Sequence, residues 1–130
     1  MADLPVVNHA ELEKIEAIAG SADDTSVVML NLNRYSSKAN VPEGALYREY
    51  MEVLNQLMVE VGGKILWQSP AYANVVGSQI IDEALGVWYS SHAAFMNLMT
   101  APSSERNMAL RARVVAHADL HRMKDYTAQG

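Results

Sequence analysis

The feature that most constrains the fold is the amphipathic segment Ala45–Val61. Its apolar side chains recur every three or four residues, and charged and amide side chains occupy the opposite face. This periodicity predicts a helix with one buried side, ended by the pair Gly62–Gly63. The predicted buried stripe consists of Leu46, Tyr47, Tyr50, Leu54, Leu57, Met58 and Val61.

A strand is predicted ahead of this helix. Residues 26–35 are rich in β-forming side chains and are bounded by polar pairs on both sides. In the period-two pattern of a strand, Asn31 and Asn33 share one face with Met29. Two asparagines on an otherwise apolar strand indicate either a partly wet cavity or amides that cap nearby loops, and the sequence leaves both open.

More strands are predicted after the helix. Residues 64–69 and 71–77, separated by Pro70, predict two short antiparallel strands or one bent hairpin. Residues 84–89 predict another strand, and a serine cap then predicts a helix over residues 92–99.

The two ends of the chain complete the pattern. Residues 9–19 predict a short amphipathic helix with Asn8 as its N-cap, and residues 118–126 predict a final strand. Before that strand, a helix restarting at Pro102 and Ser103 has the predicted apolar positions Met108, Ala109, Ala112 and Val115.

Without the first helix, the predicted order is β-α-β-β-α-β, which is the ferredoxin-like α+β arrangement with helices on one face of an antiparallel sheet. The strands carry apolar residues in both phases, for example Val27 and Val28, so the uncovered face also needs burial. Pairing of two copies through this face, a homodimer, is the simplest solution.

Composition excludes several classes of function. The 130 residues have a formal charge of −5 and no cysteine, which argues against nucleic-acid binding, disulfide scaffolds and thiol catalysis. Wholly apolar runs are far shorter than the roughly 20 residues that cross a bilayer. We therefore expect one soluble, cytoplasmic domain over residues 1–130, with residues 1–25 as a helical extension and with no nucleic-acid or membrane partner.

Cofactor motifs are also missing from the sequence. It contains no phosphate-binding glycine loop, Rossmann fingerprint, Gly-x-Ser-x-Gly or His-Glu-x-x-His motif, so no bound cofactor is expected. His117 and His121 have the spacing of two ligands on one helical face. They straddle the predicted change from helix to strand, where the rings diverge, so no metal site is predicted.

Several short motifs are shared with one family: Val28-Met29-Leu30-Asn31-Leu32, Tyr47-x-x-Tyr50, Gly62-Gly63-Lys64 followed by Trp67, Asp82 before a strand, Tyr89-Ser90-Ser91-x-x-Ala94-Phe95-x-x-x-Met99, and Pro102 with Arg111. By their order and spacing, the chain from about Val27 to Met123 resembles the uncharacterised bacterial family called domain of unknown function 1330, of the dimeric α+β barrel superfamily. The resemblance implies a homodimer whose two sheets pack face to face. The superfamily includes cofactor-independent monooxygenases, polyketide cyclases, lactone isomerases, haem peroxidases and ligand-sensing domains, so no single activity transfers.

A ligand site is predicted between the sheet and its helices, because ligand pockets are mostly apolar and aromatic with a few placed polar groups. The candidate catalytic residues are Asn31, His92 and Tyr89. An asparagine amide can hydrogen-bond a developing enolate or phenolate, and a histidine near a helix N-terminus tends to be neutral and able to accept a proton. The candidate substrate-binding residues are Asn33, Arg34, Tyr47, Tyr50, Trp67 and Arg111.

Each candidate also has a purely structural interpretation. The aromatic side chains can be core packing, His92 a surface residue of a first helical turn, and Arg111 a surface ion pair rather than a partner for a carboxylate.

Two functions remain open: a cofactor-independent enzyme doing acid–base chemistry on a hydrophobic oxygenated compound, as an isomerase, cyclase or monooxygenase-like protein, or a non-catalytic dimeric ligand-binding or sensing module. The enzyme hypothesis predicts an acidic or basic side chain that faces the cavity, and the sensor hypothesis predicts no such side chain.

Overall fold

The computed structural model describes residues 7–128 of the chain. Its helices are α1 His9–Ala19, α2 Ala45–Val61, α3 His92–Met96 and α4 Ser104–Val114. Its strands are β1 Val27–Tyr35, β2 Gly63–Pro70, β3 Glu83–Tyr89 and β4 Val115–Lys124. Short 3-10 turns lie at Ser37–Ala39, Asn97–Met99 and Tyr126–Ala128.

The four strands form one sheet in the order β2-β3-β1-β4, and all three neighbouring pairs are antiparallel. With α2 between β1 and β2 and the α3 and α4 helices between β3 and β4, this is the predicted β-α-β-β-α-β arrangement. The ferredoxin-like fold is therefore confirmed, with α1 as an addition ahead of it.

Local signals account for the helix boundaries. The Asn8 side chain accepts a hydrogen bond of 3.2 Å from the Glu11 backbone N–H and so caps α1. The helix α2 is capped by Gly62, which has a φ of 76°, a left-handed conformation that favours glycine. The Gly62 N–H donates to the Met58 carbonyl. Both helices occupy the residues that the sequence predicts.

The two faces of the sheet differ in what covers them. Along β1 the odd-numbered residues face the helices, and along β3 their antiparallel partners do the same. The core on this side has two parts. One includes Ile15 of α1, Leu57 of α2 and Met29 of the sheet, and the other lies between α2 and α4 and includes Val53 and Val114. We call the opposite side, which carries Leu30, the outer face.

Three predictions about secondary structure were wrong. The segment at 71–77 is not a strand: it belongs to an irregular connection over residues 71–82, because β2 pairs with β3 instead. Met108, Ala109 and Ala112 of α4 are exposed, and the buried positions are Leu110 and Val114. The last strand begins at Val115, three residues before the predicted start.

None of the helices within residues 7–128 is long and apolar enough to cross a membrane.

A close backbone approach at Gly44, just before α2, generates a prediction about stability. A Cβ atom added at Gly44 would lie 2.0 Å from the Ala39 carbonyl oxygen, which is backbone and cannot swing aside. We expect Gly44→Ala to lower the free energy of unfolding in urea by about 2 kcal/mol or more. Gly20→Ala is the control, because its Cβ would meet Glu16 at an ordinary 3.7 Å. Equal stability of the two variants would contradict the prediction.

Candidate functional site

The most unusual feature of the helix side is a buried carboxylate. The Glu83 side chain is only 4% exposed and accepts hydrogen bonds from the Tyr35 hydroxyl, from the Tyr47 hydroxyl at 2.7 Å and from the Gln68 amide at 2.9 Å. The Gln68 amide also lies 3.0 Å from the Tyr47 hydroxyl, and the Asn33 amide lies 3.4 Å from the Tyr35 hydroxyl. A buried charge requires such partners, and here they come from different elements of the fold.

Strand register places these groups together. Glu83 pairs with Asn33 across β3 and β1, so both side chains point toward the helices. Gln68 reaches the same side because β2 has an irregularity between Ile65 and Trp67, which leaves Leu66 as an extra residue. Beyond such a bulge every side chain changes face.

The environment of Glu83 keeps its two tyrosine partners protonated. Burial, and then the hydrogen bond to the Glu83 carboxylate, raises the pKa of both Tyr35 and Tyr47 above the ordinary tyrosine value. The two rings also pack edge to face, with centroids 5.3 Å apart. Both hydroxyls therefore act as hydrogen-bond donors rather than as bases.

Tyr50 connects this cluster to the rest of the helix side. Burial raises the pKa of Tyr50, and the negative charge of Glu83 raises it further. The positive charge of Arg111 and its hydrogen bond to the Tyr50 hydroxyl act in the opposite direction. Tyr50 in turn adds to the effect of burial in raising the pKa of Tyr89. The Tyr50 phenol therefore lies within electrostatic range of Arg111, Tyr89 and Glu83.

A cleft of about 330 Å³ opens beside Glu83 at the end of the sheet. We call it the edge cleft. Its walls combine acidic and phenolic groups with small apolar and polar ones; they are Tyr35, Ser36, Ser37, Asn40, Val41, Pro42, Pro70, Asp82 and Glu83. Asp82 stabilises this end of the sheet, since its carboxylate accepts from the Tyr35 N–H at 2.8 Å and its N–H donates to the Asn33 carbonyl. An acid–base group thus lines an open cleft.

A second cavity, of about 320 Å³, lies beneath α1. We call it the α1 cavity. Arg111 lines it, and most of its other lining residues are apolar.

The structure brings six of the predicted site residues to the helix side. Asn33, Tyr47, Tyr50 and Tyr89 are buried there and Arg111 is half-buried. Asn31 also faces the helices, but its amide donates a hydrogen bond of 3.1 Å to the Met29 carbonyl, which belongs to the same strand.

Trp67 and Arg34 do not join this set. The irregularity in β2 places Trp67 opposite Gly86 on the outer face, with its indole so close that a Cβ at Gly86 would lie 2.3 Å from the Trp67 Nε1. Arg34 follows Leu32 on the same outer face and is exposed. The expectation that both converge with the helix-side residues is therefore wrong, for Trp67 because a bulge reverses the faces.

His92 lies elsewhere, in the first turn of α3, and is 4% exposed rather than a surface residue. Its Nδ1 is 3.0 Å from both the Asp24 carboxylate and the Thr25 carbonyl, and within residues 7–128 its Nε2 has no partner. Burial acts to raise the pKa of Asp24, but the backbone N–H groups of His92 and Ala93 outweigh it and hold that pKa below its ordinary value. His92 anchors the start of α3 and does not line the edge cleft.

Sequence reasoning missed Glu83, Tyr35 and Gln68. A signal for Glu83 exists, because it has the same phase as Leu85, Val87 and Tyr89, the inward residues of a predicted strand. Tyr35 likewise extends the phase of Asn31 and Asn33. Gln68 has no such signal, since its inward position depends on the bulge.

The histidine pair lies on the side of the sheet away from the helices. His117 and His121 both lie on β4, opposite Arg34 and Leu30, and so on the outer face. Among residues 7–128 there is no group of three or more His, Asp or Glu side chains arranged to hold a metal ion.

Comparison with known proteins supports the fold. No family model and no curated protein matches the chain. A crystal structure of a protein of unknown function from Rhodopseudomonas palustris is similar, with a TM-score of 0.74 and 22% identity over 95% of this chain and 97% of that chain. A crystal structure of the methylated form of that protein is similar too, with a TM-score of 0.75 and 22% identity over 99% of this chain and 98% of that chain. The chain thus shares an α+β fold with that protein, and identity this low supports nothing further.

The tyrosine partners of Glu83 generate a prediction about pH. A tyrosine whose folded-state pKa is raised stabilises the fold fully below its unfolded value near 10, and that contribution is lost as the pH rises toward the folded-state value. We expect the free energy of unfolding to fall above about pH 10, by up to about 1.4 kcal/mol per pH unit for each such group. Tyr47→Phe should show a shallower fall than the wild type in urea titrations.

The control for this experiment is Tyr126→Phe, because Tyr126 is 57% exposed in the folded chain. That variant should follow the wild-type profile. An unchanged slope in Tyr47→Phe would show that this phenol does not resist ionisation in the folded state.

Proposed function

We propose that the protein binds a small oxygenated compound in the edge cleft and catalyses proton transfer on it without a bound cofactor. The observation that carries the proposal is the Glu83 carboxylate, which lines an open cleft while two phenols and an amide hold it in place. Acid–base groups in clefts, oriented by fixed partners, are typical of proton-transfer sites.

The roles follow from the chemistry of the groups. Glu83 takes a proton from an acidic C–H or O–H of the bound compound and returns it to another atom, which is an isomerisation or a cyclisation with no change in oxidation state. Tyr35 donates its single O–H to the Glu83 carboxylate and so holds the base in position, while the Asn33 amide lies 3.4 Å from the Tyr35 oxygen. Pro70 and Val41 supply apolar contacts on the walls of the cleft.

This chemistry can be detected before the substrate is known. A thermal-shift screen of aromatic acids, quinones and acyl lactones selects ligands, and NMR in D₂O then measures exchange of their acidic C–H protons. We expect Glu83→Gln, which preserves the size of the side chain, to slow that exchange by about 100-fold or more while ligand affinity changes little.

Glu43→Gln is the matched control, because Glu43 is an exposed carboxylate in the loop that borders the cleft. In this variant the ligand protons should exchange at the wild-type rate. Ligands that bind to the wild type without any exchange would favour the alternative, a non-catalytic sensing module. Equal exchange in Glu83→Gln and the wild type would exclude Glu83 as the base.

We further propose that the protein is a homodimer formed through the outer face. Leu30, Trp67 and Met123 are only partly covered there, although all are large and apolar. The connection at 71–82 extends this apolar surface with the exposed side chains of Tyr72, Val75, Val76 and Ile80. The Gln79 amide donates a hydrogen bond of 2.9 Å to the Asp119 carboxylate of β4, so the connection bends toward the outer face. Large apolar side chains left exposed in this way are typical of an interface between copies.

Sedimentation tests this pairing. We expect the wild type to be a dimer at micromolar concentration and Met123→Arg to be a folded monomer, because Met123 is 46% exposed in the single chain and a buried arginine in the interface would have no partner. Val59→Arg, on an 83% exposed position of α2, should remain dimeric. A wild type that sediments as a monomer would contradict the proposal.

A further inference from the structure

The α1 cavity is separate from the edge cleft, since no residue within 7–128 lines both. Leu12 and Ile15 of α1 form one wall, and Met29, Phe95 and Leu120 extend the apolar lining. Leu120 remains 48% exposed even though its side chain lies on the helix-covered face, opposite Asn31. The helices therefore leave space over this part of the sheet instead of filling it.

Among the residues that the structure describes, the charged groups in the α1 cavity leave one positive charge without an anionic partner. Arg122 forms an ion pair with Glu11, which also lines the cavity, so these two charges balance. Arg111 is half-buried and its partner is the neutral Tyr50 hydroxyl. Within residues 7–128, Arg111 forms no ion pair with a carboxylate, whereas Arg106 on the same helix pairs with Glu49.

We propose that the α1 cavity is a binding site for a small amphipathic carboxylic acid. The carboxylate pairs with the Arg111 guanidinium, and an aryl or alkyl tail packs against Leu12, Phe95 and Leu120. The cavity has the volume of about ten water molecules, which fits a ligand of comparable atom count.

A single carboxylate is the anion that suits these walls. Its two oxygens match the planar donor pair of a guanidinium, and one negative charge neutralises one uncompensated arginine. A phosphate dianion would bring a second charge among apolar side chains, where nothing compensates it. A wholly neutral ligand would leave the guanidinium half-buried without an anion.

Calorimetry with phenylpropanoate and its amide, phenylpropanamide, tests this inference on the wild-type protein. The two probes have almost the same shape and differ in charge. We expect the acid to bind at least about tenfold more tightly than the amide, which is the range of a charge-assisted hydrogen bond. Equal affinities, or no binding of the acid at millimolar concentration, would overturn the proposal.

Two arginine variants locate the site. Arg111→Met should weaken phenylpropanoate binding by about tenfold or more and abolish the preference for the acid over the amide. Arg106→Met, which removes a charge from the same helix outside the cavity, should bind as the wild type does. Undiminished binding in Arg111→Met would exclude this site.

The inference does not depend on proton transfer in the edge cleft. Glu83→Gln should therefore retain phenylpropanoate binding with its preference for the acid. Loss of exchange chemistry with retained acid binding would separate the two sites.

Discussion

The rest of the helix side depends on satisfying one buried carboxylate. Glu83 lies on β3, and its donors come from β1, α2 and β2: Tyr35, Tyr47 and Gln68. A carboxylate in this position without partners would cost several kcal/mol, far more than one surface contact contributes. Keeping all three donors in reach fixes how α2 lies over the sheet and which face Gln68 of β2 presents. The same requirement leaves the carboxylate at the wall of the edge cleft.

Much of the fold follows from local patterns. The stripe on Ala45–Val61, the Asn8 cap and the alternation of β1 are signals within a few residues of one another, and the elements they predict are observed. The errors arise where contacts with residues distant in sequence determine which side chains are buried and which segments pair as strands. The exposed alanines of α4 provide no strong apolar stripe, so the sheet alone determines that Leu110 and Val114 face inward. Residues 71–82 have strand-forming side chains but no partner strand.

The candidate site was predictable to the same extent. Tyr47, Tyr50 and Asn33 follow helix and strand periodicity and lie together as expected. The β2 bulge carries no signature in the sequence, and it exchanges the faces of Trp67 and Gln68. Glu83 could have been found, because a glutamate in the inward phase of an apolar strand must have buried partners. Which residues pair with Glu83 could not be predicted, since the chain brings them from positions up to 48 residues away.

One register controls both faces of the sheet. On β3, Glu83, Leu85, Val87 and Tyr89 face the helices, while Ala84, Gly86 and Trp88 face outward. Gly86 provides the space that the Trp67 indole occupies on the outer face. A shift of one residue between β1 and β3 would bury Trp88 among the helices and expose Glu83, so it would destroy the site and the outer apolar surface together. Within a fixed register, however, side chains on one face contact none on the other. The register therefore keeps the chemistry of the helix side apart from the surface through which we propose that two copies pair.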